Sequence, residues 1–524
     1  MRRVLSVLGP IALIAAWPTA ASAGPLTLAP PTVLSIPTPF PPGCGGAAEG
    51  SFPGSNFNYP NSEAEPWIAV SPTNPNDVAA MWQQDRWSDG GAHGLVAAVS
   101  HDGGATFAYS WPHFSNCAGG TAANGGDFGR SSDPWVSWAP NGDLWAISLS
   151  VDRTTPRNAV LAARMRHGSA TWSEPFTLKF DSSRTGIPLG NNFNDKESLT
   201  ADPTDPSGDL VYAAWDRFVS PNEHAPATAF ELARAFRGPV WFARTTNGAA
   251  DTPQWEPARA IYDPGNKATT ISNQIVVLPD GTLLDGFMVF PKDGGPSIQV
   301  IRSTDKGVTW SKRAFRVSGV ESVGERDPEP INCRPFITGN PPCTLVRSDG
   351  VIIDLAVDTS TAHPGRVYLA WQDHLDNASG DDLILLSYSD DGGKTWSPAE
   401  KVNQTPTGTF TDQAFEPAVA VNDAGTVAVS YYDFRNDVSG DRRLTTDHWI
   451  VHSHDGGATW SESHLAGPFD MHQAPYARGY FVGDYQGLEA QGGVFRVLYT
   501  ACNPGSDTVF PNPNPTDEFT TTGF

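Results

Sequence analysis

Ser100-His101-Asp102-Gly103-Gly104-Ala105-Thr106-Phe107 returns as Ser303-Thr304-Asp305-Lys306-Gly307-Val308-Thr309-Trp310. It returns again as Ser389-Asp390-Asp391-Gly392-Gly393-Lys394-Thr395-Trp396 and as Ser453-His454-Asp455-Gly456-Gly457-Ala458-Thr459-Trp460. The shared pattern is Ser-x-Asp-x-Gly-x-Thr-aromatic, and each part suits a β-turn. The Asp carboxylate accepts backbone N–H bonds from the turn it opens. A Gly supplies a positive φ, the Thr starts the next strand, and the aromatic ring buries a large area. The pattern is therefore read as a folding device, not as catalytic machinery. Two worn copies lie between the first good copy and the second: His167-Gly168-Ser169-Ala170-Thr171-Trp172, and Thr246-Asn247-Gly248 running on to Gln254-Trp255.

Working outward from each copy, the same order of elements repeats. An apolar first strand is expected at 67–70, 135–138, 198–201, 274–278, 351–355 and 418–421. A turn rich in Pro, Asn, Asp and Gly follows, then a second strand at 78–82, 144–149, 210–215, 367–371 and 427–431. A third strand, the turn motif and a fourth strand complete each unit. Four short antiparallel strands recurring every ~60 to 85 residues predict propeller blades. Beyond the last motif, 487–491 and 494–500 read as further inner strands, with 518–522 as a third. The expected fold is thus all-β, a single propeller over 65–510 with seven blades favoured and six as the alternative. A segment within 24–64 would close the ring, and 511–524 is a tail or a last strand.

Composition agrees. Gly 51, Pro 46, Trp 17 and Phe 26 suit β structure, and one short helix is expected at 230–236. Met1-Arg2-Arg3, an apolar run to Trp17 and Ala21-Ser22-Ala23 form an export leader with cleavage near Ala23, so a secreted protein, extracellular or periplasmic, is expected. No membrane insertion is expected, because no later segment carries the ~18 apolar residues of a spanning helix. A net charge of −23 excludes nucleic acid as a partner. Of the five cysteines, Cys333 and Cys343 flank a Pro- and Gly-containing loop and are the expected bridge. A monomer is expected. No cofactor is required, and a structural calcium ion held by several carboxylates is an open alternative.

Because the chain reverses at every strand, the turn motifs lie on the face away from the start of the first strands. The opposite face, where the first strands begin, forms a funnel of the kind that binds ligands. Two polar positions recur there. One is an acid at the start of the first strand: Glu65, Asp133, Glu197, Glu416 and Asp484. The other is an Asp followed by a base after the second strand: Asp85-Arg86, Asp152-Arg153, Asp216-Arg217, Asp373-His374, and Asp433 with Arg435. The string 478–487 adds Arg478, Tyr480 and Tyr485.

The motif and the blade pattern resemble those of the sialidase-like (BNR or Asp-box repeat) propellers. In that family the fold is six-bladed, three arginines hold the substrate carboxylate, a Tyr activated by a Glu is the nucleophile, and an Asp is the acid/base. The resemblance implies Arg86, Arg217 and Arg435 as clamps, with Arg478 as a substitute, and Asp484 beside them. It implies Tyr432 or Tyr485 as nucleophile, Glu416 or Glu197 as its base, and Asp85 or Asp133 as acid. The family's Arg-Ile-Pro string has no counterpart in the first unit, which opens Glu65-Pro66-Trp67; the nearest string is 184–188. The implied activity is that of a sialidase-like glycoside hydrolase acting on exposed glycans. Its alternatives are another carbohydrate-active enzyme, a lyase or different glycosidase, and a non-catalytic propeller binding glycan or protein.

Overall fold

The computed structural model describes residues 24–44, 57–152, 155–182, 192–219, 237–322, 324, 346–348, 350–374, 381–408, 411, 413–505 and 513–524. The leader, the helix at 230–236, the Cys333–Cys343 bridge, Arg153 and the string 184–188 lie outside the described residues. No helix among the described residues is long and apolar enough to cross a membrane.

The described residues form seven four-stranded antiparallel units. Unit 1 is Glu63–Val70, Val78–Arg86, Ala92–Ser100 and Ala108–Ser110; unit 2 is Arg130–Trp138, Leu144–Val151, Arg157–Met165 and Phe176–Ser182. Unit 3 is Asn192–Ala201, Val211–Val219, Val240–Thr245 and Arg259–Tyr262; unit 4 is Thr269–Val277, Leu283–Phe290, Ser297–Ser303 and Phe315–Gly319. Unit 5 is Ile353–Val357, Val367–Asp373, Leu383–Ser389 and Glu400–Lys401; unit 6 is Ala414–Val421, Val427–Asp433, Thr445–Ser453 and Ser461–Asp470. Unit 7 is Gly487–Gln491, Val494–Cys502 and Thr516–Gly523, with Thr32–Val33 from the N-terminal segment as its fourth strand. A single backbone pair, Ala92 with Ser131, joins units 1 and 2 into one sheet.

Each first strand packs beside the next, and the first strand of unit 7 packs beside that of unit 1. Side chains from neighbouring units fill the seams: Ala79, Met81 and Leu95 of unit 1 meet Val136, Leu144 and Leu161 of unit 2. Trp82, Trp145, Trp215 and Trp371, one on each of four second strands, are fully buried in such seams. Truncating a residue of this kind costs about 3–5 kcal/mol.

The four turn motifs are built alike. Asp391 accepts from Thr395 N at 2.9 Å and Thr395 Oγ1 at 2.6 Å, while Gly393 N donates to Ser389 Oγ at 2.8 Å. Asp102, Asp305 and Asp455 repeat these bonds. In unit 1 the motif touches the turn after the first strand, Gly103 N donating to Asn76 O at 3.0 Å. The motifs therefore sit away from the strand starts. Cys44 is bridged to Cys117, and Cys502 is buried.

Candidate functional site

Five first strands carry a bulge near their start. The ladder skips two residues in each: 65 and 66, 133 and 134, 196 and 197, 272 and 273, 416 and 417. The first residue of each pair is left-handed: Glu65 (φ 55°), Asp133 (54°), Lys196 (48°), Ser272 (69°) and Glu416 (50°). Three of these precede proline, which itself favours extended backbone. Strain repeated at equivalent positions marks a site that the surrounding fold over-determines. The register also corrects the sequence reading. Lys196, not Glu197, holds the position of Glu65 and Asp133, and Glu197 stands where the other units carry Pro66, Pro134, Asn273 and Pro417.

Lys196 is the hub of a buried ion network. Its Nζ lies 2.5 Å from Asp484 Oδ2, 3.3 Å from Glu65 Oε1 and 3.9 Å from Asp133 Oδ1. Burial works against the ammonium, yet Asp133, Asp484 and Glu65 overcome it and hold the Lys196 charge firmly. Arg347 NH2 also reaches Asp484 Oδ2, at 3.0 Å. Burial opposes the Asp484 charge, but Arg347 and Lys196 keep its carboxylate well below the usual range. Glu65 is moved up by burial against the pull of Lys196. Arg86 and Arg347 each stack on Phe481 with 4.5 Å to the ring centre.

Beside this network lies a small cavity lined by Trp67, Asp133, Trp135, Lys196, Glu197, Ser272, Asn273, Asp354 and Tyr485, among others. Asp133 is oriented by Ser132 Oγ at 2.8 Å and Lys196 N at 3.1 Å. Glu197 is 3 % exposed, and neither of its oxygens meets a hydrogen-bond donor beyond its own backbone N–H. Burial, then the charge of Asp133, push its carboxyl well above the usual range. Asn273 Oδ1 is likewise buried without a donor. The indoles of Trp67 and Trp135 stack with their planes 19° apart, and Tyr485 packs on both.

The site thus gathers Asp133, Glu197, Tyr485, Asp484 and Arg86 from the expected set, with Glu65 beside them. It leaves others elsewhere. Asp85 accepts from Asn61 N at 2.8 Å and Thr38 Oγ1 at 2.6 Å and pairs with His93 at 2.9 Å, so it anchors the N-terminal segment instead of serving as an acid. Tyr432 lies in the core between units 6 and 7, outside the cavity lining, and donates to Thr500 O at 2.9 Å. Tyr485 donates to Pro134 O at 3.0 Å, and burial, then the charge of Glu65, hold its phenol protonated. Glu416 N donates to Gln372 Oε1, and the Glu416 charge acts on Tyr432 instead of the cavity. Arg217 grips both oxygens of Asp181, Arg435 grips Asp433 and Glu462, and Arg478 is exposed. No arginine triad forms among the expected clamps. Lys196 and Arg347 escaped the sequence reading; the strand-start acids of the other units were the signal for Lys196, one residue before Glu197. Cys44, Cys117 and His93 bring possible metal-ligating atoms within 4.8 Å of one another, but the two sulfurs are bonded to each other.

Residues 239–466 match the family model described as BNR repeat-like domain. That segment is similar to BNR repeat-like domains. It contains three of the four good turn motifs, and the BNR-type pattern continues outside it in the motif at 100–107. No curated protein matches the chain. Among solved structures, a Hadza microbial sialidase aligns at 14% identity over 85% of this chain and 74% of its own, with a TM-score of 0.43. Trypanosoma rangeli sialidase in complex with sialic acid aligns at 11% over 79% of this chain and 55% of its own, TM-score 0.41. An alpha-L-arabinofuranosidase from Fusarium graminearum aligns at 10% over 71% of this chain and 88% of its own, TM-score 0.41.

Proposed function

We propose that the seven units close into one seven-bladed propeller, exported after cleavage near Ala23, and that it is a glycoside hydrolase that takes a hydroxyl of an uncharged sugar into the small cavity, whose volume of about 20 Å³ suits one hydroxyl-sized group. The observation that carries this reading is Glu197. A buried carboxyl without a donor is costly, so a ligand rich in hydroxyl donors is its natural complement. Asn273 Oδ1 calls for a second such donor. Trp67, Trp135 and Tyr485 offer the aromatic surface on which the apolar face of a sugar packs.

Glycoside hydrolysis by a carboxyl pair needs one protonated and one ionised group. Glu197, kept protonated by burial and by Asp133, serves as general acid to the leaving oxygen. Asp133, oriented by Ser132 and Lys196, serves as the carboxylate that acts on the sugar or on water. An anionic sugar is disfavoured, because Lys196, the one cation in the lining among the described residues, is already ringed by three carboxylates.

The test is turnover of a panel of fluorogenic neutral glycosides and a sialoside by the purified protein. A neutral glycoside should be cleaved and the sialoside left intact. Glu197→Gln should lower kcat by about 10²–10⁴-fold with an unchanged melting temperature. Silence of the folded protein on the whole panel, or a fully active Glu197→Gln variant, overturns the reading.

A further inference from the structure

The bulge of unit 4 differs from the others in what it offers to the small cavity. Where units 1, 2 and 6 carry Pro66, Pro134 and Pro417, and unit 3 carries Glu197, unit 4 carries the amide of Asn273. That amide is anchored from the neighbouring unit. Its Nδ2 lies 2.6 Å from Oδ1 of the buried Asp216, which also accepts from Thr270 Oγ1 at 2.7 Å. Unit 5 pins the bulge from elsewhere, Ile353 N donating to Ser272 Oγ at 3.1 Å. The Asn273 side chain, 3 % exposed, is therefore fixed in the cavity lining by its neighbours.

An amide can turn either its oxygen or its NH2 group toward a ligand, and the anchor decides which. Turning the Asn273 amide over would set its Oδ1 about 2.6 Å from Asp216 Oδ1, and two acceptor oxygens that close repel. With Nδ2 committed to Asp216, Oδ1 is the atom left for the cavity, and no donor in the protein reaches it. A hydroxyl group brings the missing hydrogen. An ether, an ester or a fluorine in the same place brings none and leaves Oδ1 buried and unpaired. Given that a sugar enters this cavity, as proposed above, we propose that Asp216 is a positioning residue that holds the Asn273 oxygen ready for the ligand. The site then takes a sugar with a free hydroxyl at the inserted position and rejects one that is alkylated, acylated or fluorinated there.

The test titrates the full protein with glucose, galactose, xylose and arabinose, each beside its monodeoxyfluoro analogues, following tryptophan fluorescence, since Trp67 and Trp135 line the cavity. Fluorine is close to a hydroxyl in size but donates no hydrogen bond. For a sugar that binds, fluorine at one ring position should weaken binding about tenfold or more, and at the other positions far less. Asp216→Ala should abolish most of that discrimination. Asp216→Asn, which keeps an oxygen for Asn273 Nδ2, should restore it; a residue that only stabilised the fold would not alter the ratio between two ligands. Equal binding of a sugar and all its analogues, no saturable binding of any sugar, or full discrimination in Asp216→Ala would each overturn the proposal. The fluorine comparison needs no variant, so it decides the matter even where Asp216→Ala fails to fold. Discrimination in binding without turnover of any glycoside would remove the hydrolase reading and support this one; turnover without discrimination would do the reverse.

Discussion

At the scale of single residues, Lys196 shows how one side chain sets the chemistry of a buried site. Its backbone is left-handed, and its ammonium meets Asp484, Glu65 and Asp133 within 4 Å. Removing one partner of a buried ion group leaves the others uncompensated, which costs about 3–5 kcal/mol. Lys196→Met should therefore destabilise the protein by that order at pH 8. Glu65, already moved up by burial, can escape the cost by taking up a proton, so the deficit should shrink toward pH 5. Urea melts of both proteins at the two pH values check this. A deficit equal at both would show that lost packing, not lost charge, is responsible.

At the scale of elements, the turn motifs do the work of caps. Asp391→Ala takes the acceptor from Thr395 N, Thr395 Oγ1 and Ser389 Oγ at once. Loss of a cap of this type costs about 1–2 kcal/mol, and urea melts should find it; an unchanged midpoint would remove the motif from the folding account. Such motifs are legible in a sequence because their bonds run between residues four apart, and four copies cannot hide. The strand-start acids were legible for the same reason of repetition. The bulge was not: a ladder that skips two residues shifts the register by one position, so Lys196 and Glu197 exchanged places in the reading. Arg347 was invisible, since it reaches Asp484 across 137 positions and belongs to no repeat. The Cys44–Cys117 bridge spans 73 positions, a pairing that spacing alone cannot select.

At the scale of the whole molecule, two classes of carboxyl group pull stability in opposite directions as pH changes. The motif acids Asp305 and Asp391 are held down at about 2, the first by its hydrogen bonds from Thr309, the second by those from Thr395 against the effect of burial. Their unfolded value is 3.8, so their contribution is complete above about pH 4 and is lost as pH falls toward 2. Asp216 and Asp354 are raised by burial to about 7, and Glu489 by burial and Asp354 to about 8. Between the unfolded and folded values the native protein holds more protons than the unfolded chain, so stability falls as pH rises through that window. Each such group contributes a slope of up to about 1.4 kcal/mol per pH unit. The melting temperature should therefore peak near about pH 4 to 5 and decline steadily to about pH 8. The net charge of −23 acts in the same direction, because each proton lost adds to self-repulsion. Asp216→Asn separates the two causes. Asp216 accepts from Thr270 Oγ1 at 2.7 Å and Asn273 Nδ2 at 2.6 Å, so the amide fits the space but cannot titrate. The variant should melt with a shallower decline from pH 5 to 8 than the parent. A slope unchanged in Asp216→Asn would assign the pH dependence to overall repulsion, and a parent that becomes more stable toward pH 8 would mean that its buried acids are ionised in the native state.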